Sequence, residues 1–117
     1  MISIRRPQID RVNHLLQEVI NDPLTYPHEG IARNLLPDDR APAGYRHDYA
    51  AILLGEGQQV FERASRAIRQ WSMFPPAMAE LYHRDTPIEV GQVVAVLFGG
   101  YGIWTLIPAR ILYTIDE

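Results

Sequence analysis

Tyr26, His28 and Glu29 come closest, by residue type and spacing, to general acid–base chemistry in this chain. An imidazole exchanges its proton near neutral pH, and a neighbouring phenol can hold a substrate oxygen, if the ring stands within hydrogen-bond reach of the proton to be moved. The competing reading is a loop anchor, with Tyr26 packed under Pro27. Arg110 is the second candidate, because it alternates with Trp104, Leu106 and Leu112 on an otherwise apolar strand face. A guanidinium there must find a carboxylate, reach solvent or meet an anionic ligand, and Glu80 and Glu89 are its candidate partners. Other groups imply less. His14, His28, His47 and His83 follow neither HxxxH nor HExxH spacing, so no metal site is expected. Gly55-Glu56-Gly57 lacks the third glycine and the lysine of a phosphate-binding loop, and no cofactor is expected. Arg63, Arg66 and Arg69 stripe a helix beside Glu56 and Glu62, as a solvated face does.

Those residues need a scaffold, and 117 residues with 47% apolar content are the size of one domain, residues 1–117. The formal charge of −3 and the pI near 5.8 supply no drive toward nucleic acid or anionic membrane. The chain has no cysteine and therefore no disulfide framework and no thiolate nucleophile. Met1 to Arg6 lacks the apolar core of a signal peptide, and no apolar run reaches the roughly 18 residues of a membrane span. A cytoplasmic location is expected.

Ile9, Val12, Leu15, Leu16, Val19 and Ile20 recur at three and four residues, predicting an amphipathic helix within residues 1–22, with Pro7 in its first turn. Residues 23–44 hold four prolines and read as a long irregular connection. Residues 45–54 alternate with period two and predict a strand, polar at its start and buried at its end. After Gly55-Glu56-Gly57, the residues Val60, Phe61, Ala64, Ala67, Ile68 and Trp71 mark the apolar stripe of a second helix, expected to lie on a sheet. Ala79–His83 predicts a short strand, and Gln92–Phe98 a strand buried on both faces. Gly99-Gly100-Tyr101-Gly102 predicts a hairpin turn into a strand over Ile103–Ile115. Such a strand would run roughly 43 Å, with a bulge or bend at Pro108. The fold class is α+β, a curved antiparallel sheet packed on an amphipathic helix plus an N-terminal helix, with residues 45–117 forming a strand, a helix and three strands. Because the chain stops after its longest strand, a free edge over 103–115 is expected, completed by a second copy or another chain.

The succession Tyr26-Pro27, Pro42-Ala43-Gly44-Tyr45, Leu54-Gly55-Glu56-Gly57, Phe61-Glu62-Arg63-Ala64, Arg69-Gln70-Trp71-Ser72-Met73-Phe74-Pro75, Ile88-Glu89-Val90-Gly91 and Trp104 through Arg110 to Glu117 resembles a family of bacterial and plant proteins. It is known only as domain of unknown function nineteen-ninety. The resemblance covers nearly the whole chain. It implies a distant relation to the START-like helix-grip fold, in which a curved sheet wraps a helix around an apolar cavity, and it implies no activity. Family members continue past the equivalent of Glu117 with further strands and a helix, so the chain is expected to be C-terminally short. Met78 stands where the family commonly has Trp, and Ile107-Pro108 where it often has Leu-Asn, so any pocket those side chains complete is expected to differ here.

Three functions follow. The favoured one is non-enzymatic binding of an apolar or amphipathic small molecule between the helix over 60–71 and the sheet, with Tyr26, His28, Tyr49, Trp104, Leu106, Arg110 and Leu112 as candidate ligand-binding residues. The alternatives are an assembly protein completed by strand pairing through 103–115, and a helix-grip enzyme using Tyr26, His28 and Arg110.

Overall fold

The computed structural model describes residues 1–116. Seven elements follow one another: β1 (Ile2–Ser3), α1 (Ile9–Val19), α2 (Ile31–Asn34), α3 (Gln58–Arg69), β2 (Glu80–Tyr82), β3 (Val93–Gly100) and β4 (Ile103–Arg110). The strands form one antiparallel sheet in the order β1-β4-β3-β2, so the architecture is α+β.

The β3–β4 hairpin closes through a two-residue loop, Tyr101 and Gly102, both at positive φ (52° and 76°). That backbone matches the twist of the flanking strands, and the register runs unbroken from Gly100↔Ile103 to Val93↔Arg110. Where a bulge or bend is expected at Pro108 the register shows no bulge, for a reason that lies in the hairpin. The pair flanking a two-residue loop exchanges hydrogen bonds, so Ile103, Thr105, Ile107 and Ala109 bond to β3 while even-numbered residues turn their backbone groups outward. Leu106 shows this, donating to the Met1 carbonyl at 2.8 Å and accepting from the Met1 amino group at 2.9 Å. Pro108 is even-numbered too, and its missing N–H removes nothing from the ladder with β3.

The edge expected to stand free over 103–115 is shorter and partly covered. β1 pairs Ile2 with Thr105 and Ser3 with Trp104, and β4 ends at Arg110. Ile111 adds a last exchange with the segment before β3, through Gln92 O at 2.9 Å and Gly91 N at 2.8 Å, and residues 112–116 lie outside the ladder.

The sheet buries both faces of β3. On one, Val12 and Leu16 of α1 pack on Ala95, Leu97 and Leu106, flanked by Leu15, Tyr82, Val93 and Trp104. On the other, Trp71 and Ala79 cover Leu81, Val94 and Val96, with Phe74, Ile88 and Ile111 around them. The helix seated on the sheet is therefore α1, through its contacts with β3 and β4. The helix expected there, α3, forms where its periodicity predicts but stands clear of both core clusters, with Phe61 57% and Ile68 54% exposed. Trp71 lies beyond its end, at φ 57°, donating its indole N–H to Thr86 O at 2.9 Å.

Residues 45–54 form no strand. Their alternation is that of a strand, but a strand exists only with a partner, and the backbone bond in this stretch is a turn, Tyr45 N–H to Pro42 O at 3.0 Å.

Gly99 sits opposite Trp104, whose ring covers it. A Cβ there would stand 2.7 Å from Trp104 Cε3 and 3.0 Å from Cη2, and the ring is held between the α1 core and the Arg6 guanidinium, 5.3 Å from its centroid. Gly99→Ala is therefore expected to destabilise the fold by about 1–3 kcal/mol through overpacking. A lowered urea midpoint checks this; an unchanged midpoint would show that the ring moves aside freely.

Candidate functional site

The turn Pro42-Ala43-Gly44-Tyr45 has the φ 86° glycine and the closing hydrogen bond of a type II turn, and it returns the chain to the loop before α2. Tyr45 thereby joins Tyr26 and His28. The three ring centroids lie 5.2, 5.6 and 5.7 Å apart, with interplanar angles of 78°, 89° and 69°. Rings crossing edge to face at these distances are in contact, so the cluster fills its own centre and leaves no space for a substrate between them. Glu29 points to solvent from the same loop. The far side of the loop rests on the strand exit, where a Cβ at Gly30 would stand 3.9 Å from Tyr113 Cε1. Sequence reasoning missed Tyr45 as a member because it assigned that residue to a strand; the Pro-Ala-Gly turn before it was the available signal.

Arg110 meets neither Glu80 nor Glu89. Its guanidinium donates to Ile20 O at 2.9 Å, capping the C-terminal end of α1, where backbone carbonyls lack helical partners and the helix dipole favours a cation. Glu80 is instead paired with Arg6, whose pKa that hydrogen bond and charge raise. Beside Arg110 a groove of about 180 Å³ opens between Val19, Asp22, Pro23, Leu24 and Thr25 on one side and Val93, Pro108 and Ala109 on the other. That is below the roughly 300–1,000 Å³ of ordinary ligand sites, so it suits a fragment-sized molecule.

The other expected lining residues are dispersed. Leu106 is fully buried in the α1 core, Trp104 packs against that core, Leu112 is half-buried beyond β4, and Tyr49 is exposed. No cavity forms between α3 and the sheet strands among the described residues. α3 borders the final segment instead, Arg69 Nη2 lying 4.0 Å from Asp116 Oδ1, with clefts lined by Phe61, Ser65, Ile68 and Ile115. The histidines are equally scattered: His14 reaches Glu18 at 3.2 Å, His83 Nε2 meets Asn13 Oδ1 at 2.7 Å and His47 Nε2 meets Leu36 O at 3.0 Å. Among the described residues, no three His, Asp or Glu side chains converge as metal ligands.

Residues 25–117 match the family described as a domain of unknown function, DUF1990. The chain belongs to this family. The match begins after α1, so the helix that builds half the core precedes the DUF1990 region. Among curated proteins, a UPF0548 protein of Dictyostelium discoideum is 39% identical over 69 residues, which are 59% of this chain and 32% of that protein. A UPF0548 protein of Arabidopsis thaliana is 26% identical over 74 residues, 63% of this chain and 35% of that protein. The match thus spans about a third of the length of these relatives. No solved structure matches.

Proposed function

We propose that this DUF1990 chain is a non-enzymatic association domain, whose uncovered apolar faces are completed by another polypeptide. One observation supports the reading above the rest. The chain exposes 9467 Å², whereas a folded monomer of its 13.4 kDa exposes about 6,500 Å². The excess, roughly 3,000 Å² on one chain, is at the large end of obligate protein interfaces counted over both partners and far beyond what a small ligand covers. Its radius of gyration, 16.4 Å, likewise exceeds the roughly 13 Å of a compact chain of this length. Much of the exposed surface is apolar: Phe61 and Ile68 on α3, Ile103 and Ile107 on β4, and Ile52, Leu53 and Leu54 in the extended segment. Surfaces of this kind mark association sites. A cytoplasmic location accompanies the reading, in keeping with a cysteine-free chain in which no helix among the described residues is long and apolar enough to cross a membrane.

The groove at Arg110 favours a second reading, a site for a small amphipathic acid with its apolar part against Val19, Leu24 and Pro108 and its charge on the guanidinium. Size-exclusion chromatography with light scattering and native mass spectrometry decides between the two. Association predicts a dimer or larger species whose melting temperature rises with protein concentration. A monodisperse monomer with a concentration-independent melting temperature would overturn it, and a small mass retained by that monomer would support the groove.

A further inference from the structure

We propose that the completing polypeptide is a second copy of this chain, and that residues 45–49 pair antiparallel with the same residues of that copy about a twofold axis at His47. The inference rests on the association reading and states where the contact lies.

The segment is prepared for pairing on its backbone. From Arg46 to Leu54 it runs outside helix and strand, and its N–H and C=O groups have no backbone partner among the described residues. Unpaired extended chain with strand periodicity is a template for another strand. One face is already held: Tyr45 sits in the ring cluster, and His47 is bonded to Leu36 O. The other face presents Arg46 and Asp48, whose side chains are 86% and 74% exposed.

The charges select the register. About an axis at His47, Arg46 lies opposite Asp48 of the partner subunit, Asp48 lies opposite the partner subunit's Arg46, and Tyr45 lies opposite the partner's Tyr49. Two opposite-charge pairs and two aromatic pairs form at once, each favourable across an antiparallel ladder. Moving the axis by one residue either way sets Arg46 against the partner's Arg46, or Asp48 against the partner's Asp48, so like charges reject the neighbouring registers. The type II turn over residues 42–45 ends the ladder on that side. Within one chain Arg46 Nε and Asp48 Oδ1 are 2.9 Å apart but so exposed that the pair contributes little, leaving both free to exchange. The outer edge of β4 is the poorer template, since Met1–Ser3 occupies part of it and Pro108 offers no outward donor beyond. A twofold contact closes on itself, and the exposed Ile52, Leu53 and Leu54 that continue the segment add apolar area to a ribbon that alone would be marginal.

Because the chain has no cysteine, His47→Cys places a single thiol at the axis, where directly opposed Cβ atoms approach closely enough for a disulfide. Mild oxidation is expected to give a reducible covalent dimer at least about tenfold faster than the control Ser72→Cys. Independently, Arg46→Asp is expected to weaken the dimer on the order of tenfold, and the swap Arg46→Asp with Asp48→Arg to restore it. Circular dichroism confirms that each variant folds. A wild-type dimer that neither cross-links preferentially nor responds to the charge variants overturns the 45–49 contact while the association reading stands. A wild-type monomer overturns both.

Discussion

Trp71→Ala is expected to lower the stability of the fold by about 3–5 kcal/mol, the range for deleting a buried aromatic side chain. Trp71 is the largest residue of the second core cluster and covers Ala79, Leu81, Val94 and Val96. No neighbouring element can collapse into its place, because this face of β3 is roofed by the turns of residues 71–79 and not by a helix. Its indole N–H also satisfies Thr86 O, and the Arg84 guanidinium donates to the carbonyls of Trp71 and Phe74 at 3.4 and 2.6 Å, so the roof is tied together at this residue. Against a total stability of about 5–15 kcal/mol for a native domain, such a loss leaves a substantial unfolded fraction. Urea unfolding followed by the fluorescence of Trp104 measures it. Trp71→Phe, which keeps most of the ring and removes the N–H, is expected to fall in between; an alanine variant within 1 kcal/mol of wild type would show that the roof is not core.

Leu106→Ala is the second large effect, about 2–5 kcal/mol, and it separates two readings of one residue. As a cavity-lining residue Leu106 would face empty space, and its truncation would cost little stability. The structure buries it completely among Val12, Leu16, Ala95 and Leu97, at the centre of the α1 face. Truncation there opens a void bounded by the rigid hairpin and the helix. The midpoint of urea unfolding should fall by an amount comparable with Trp71→Ala, without a change in the slope that would signal a different unfolded state. A loss below about 1 kcal/mol would return Leu106 to the pocket wall.

The candidate site was legible in part. Tyr26 and His28 do stand together, since two positions of separation in a proline-bounded loop keep them near, and Arg110 does sit on a groove. The third ring of the cluster comes from Tyr45, and the partner of Arg110 is the carbonyl of Ile20, 90 positions away. The first had a signal in the Pro-Ala-Gly turn before Tyr45, but the second could not be read from spacing, because a backbone carbonyl has no side-chain identity to search for. The same holds for α3, whose stripe identifies a helix with one apolar face but not the surface that covers it.

The sequence by itself determined the features whose causes are local. The period of α1 and α3, the short strand over Glu80–Tyr82, the buried run of β3 and the Tyr101-Gly102 turn depend on consecutive residues and their backbone preferences. Family membership was legible for the same reason, as an ordered series of short motifs. Tertiary structure alone decided which elements meet. It placed α1 on the sheet instead of α3, covered part of the β4 edge with Met1–Ser3, left residues 45–54 without a partner, and made Pro108 harmless by the parity of the hairpin register. Periodicity states that a face or an edge must be satisfied; only the contacts between distant segments state what satisfies it.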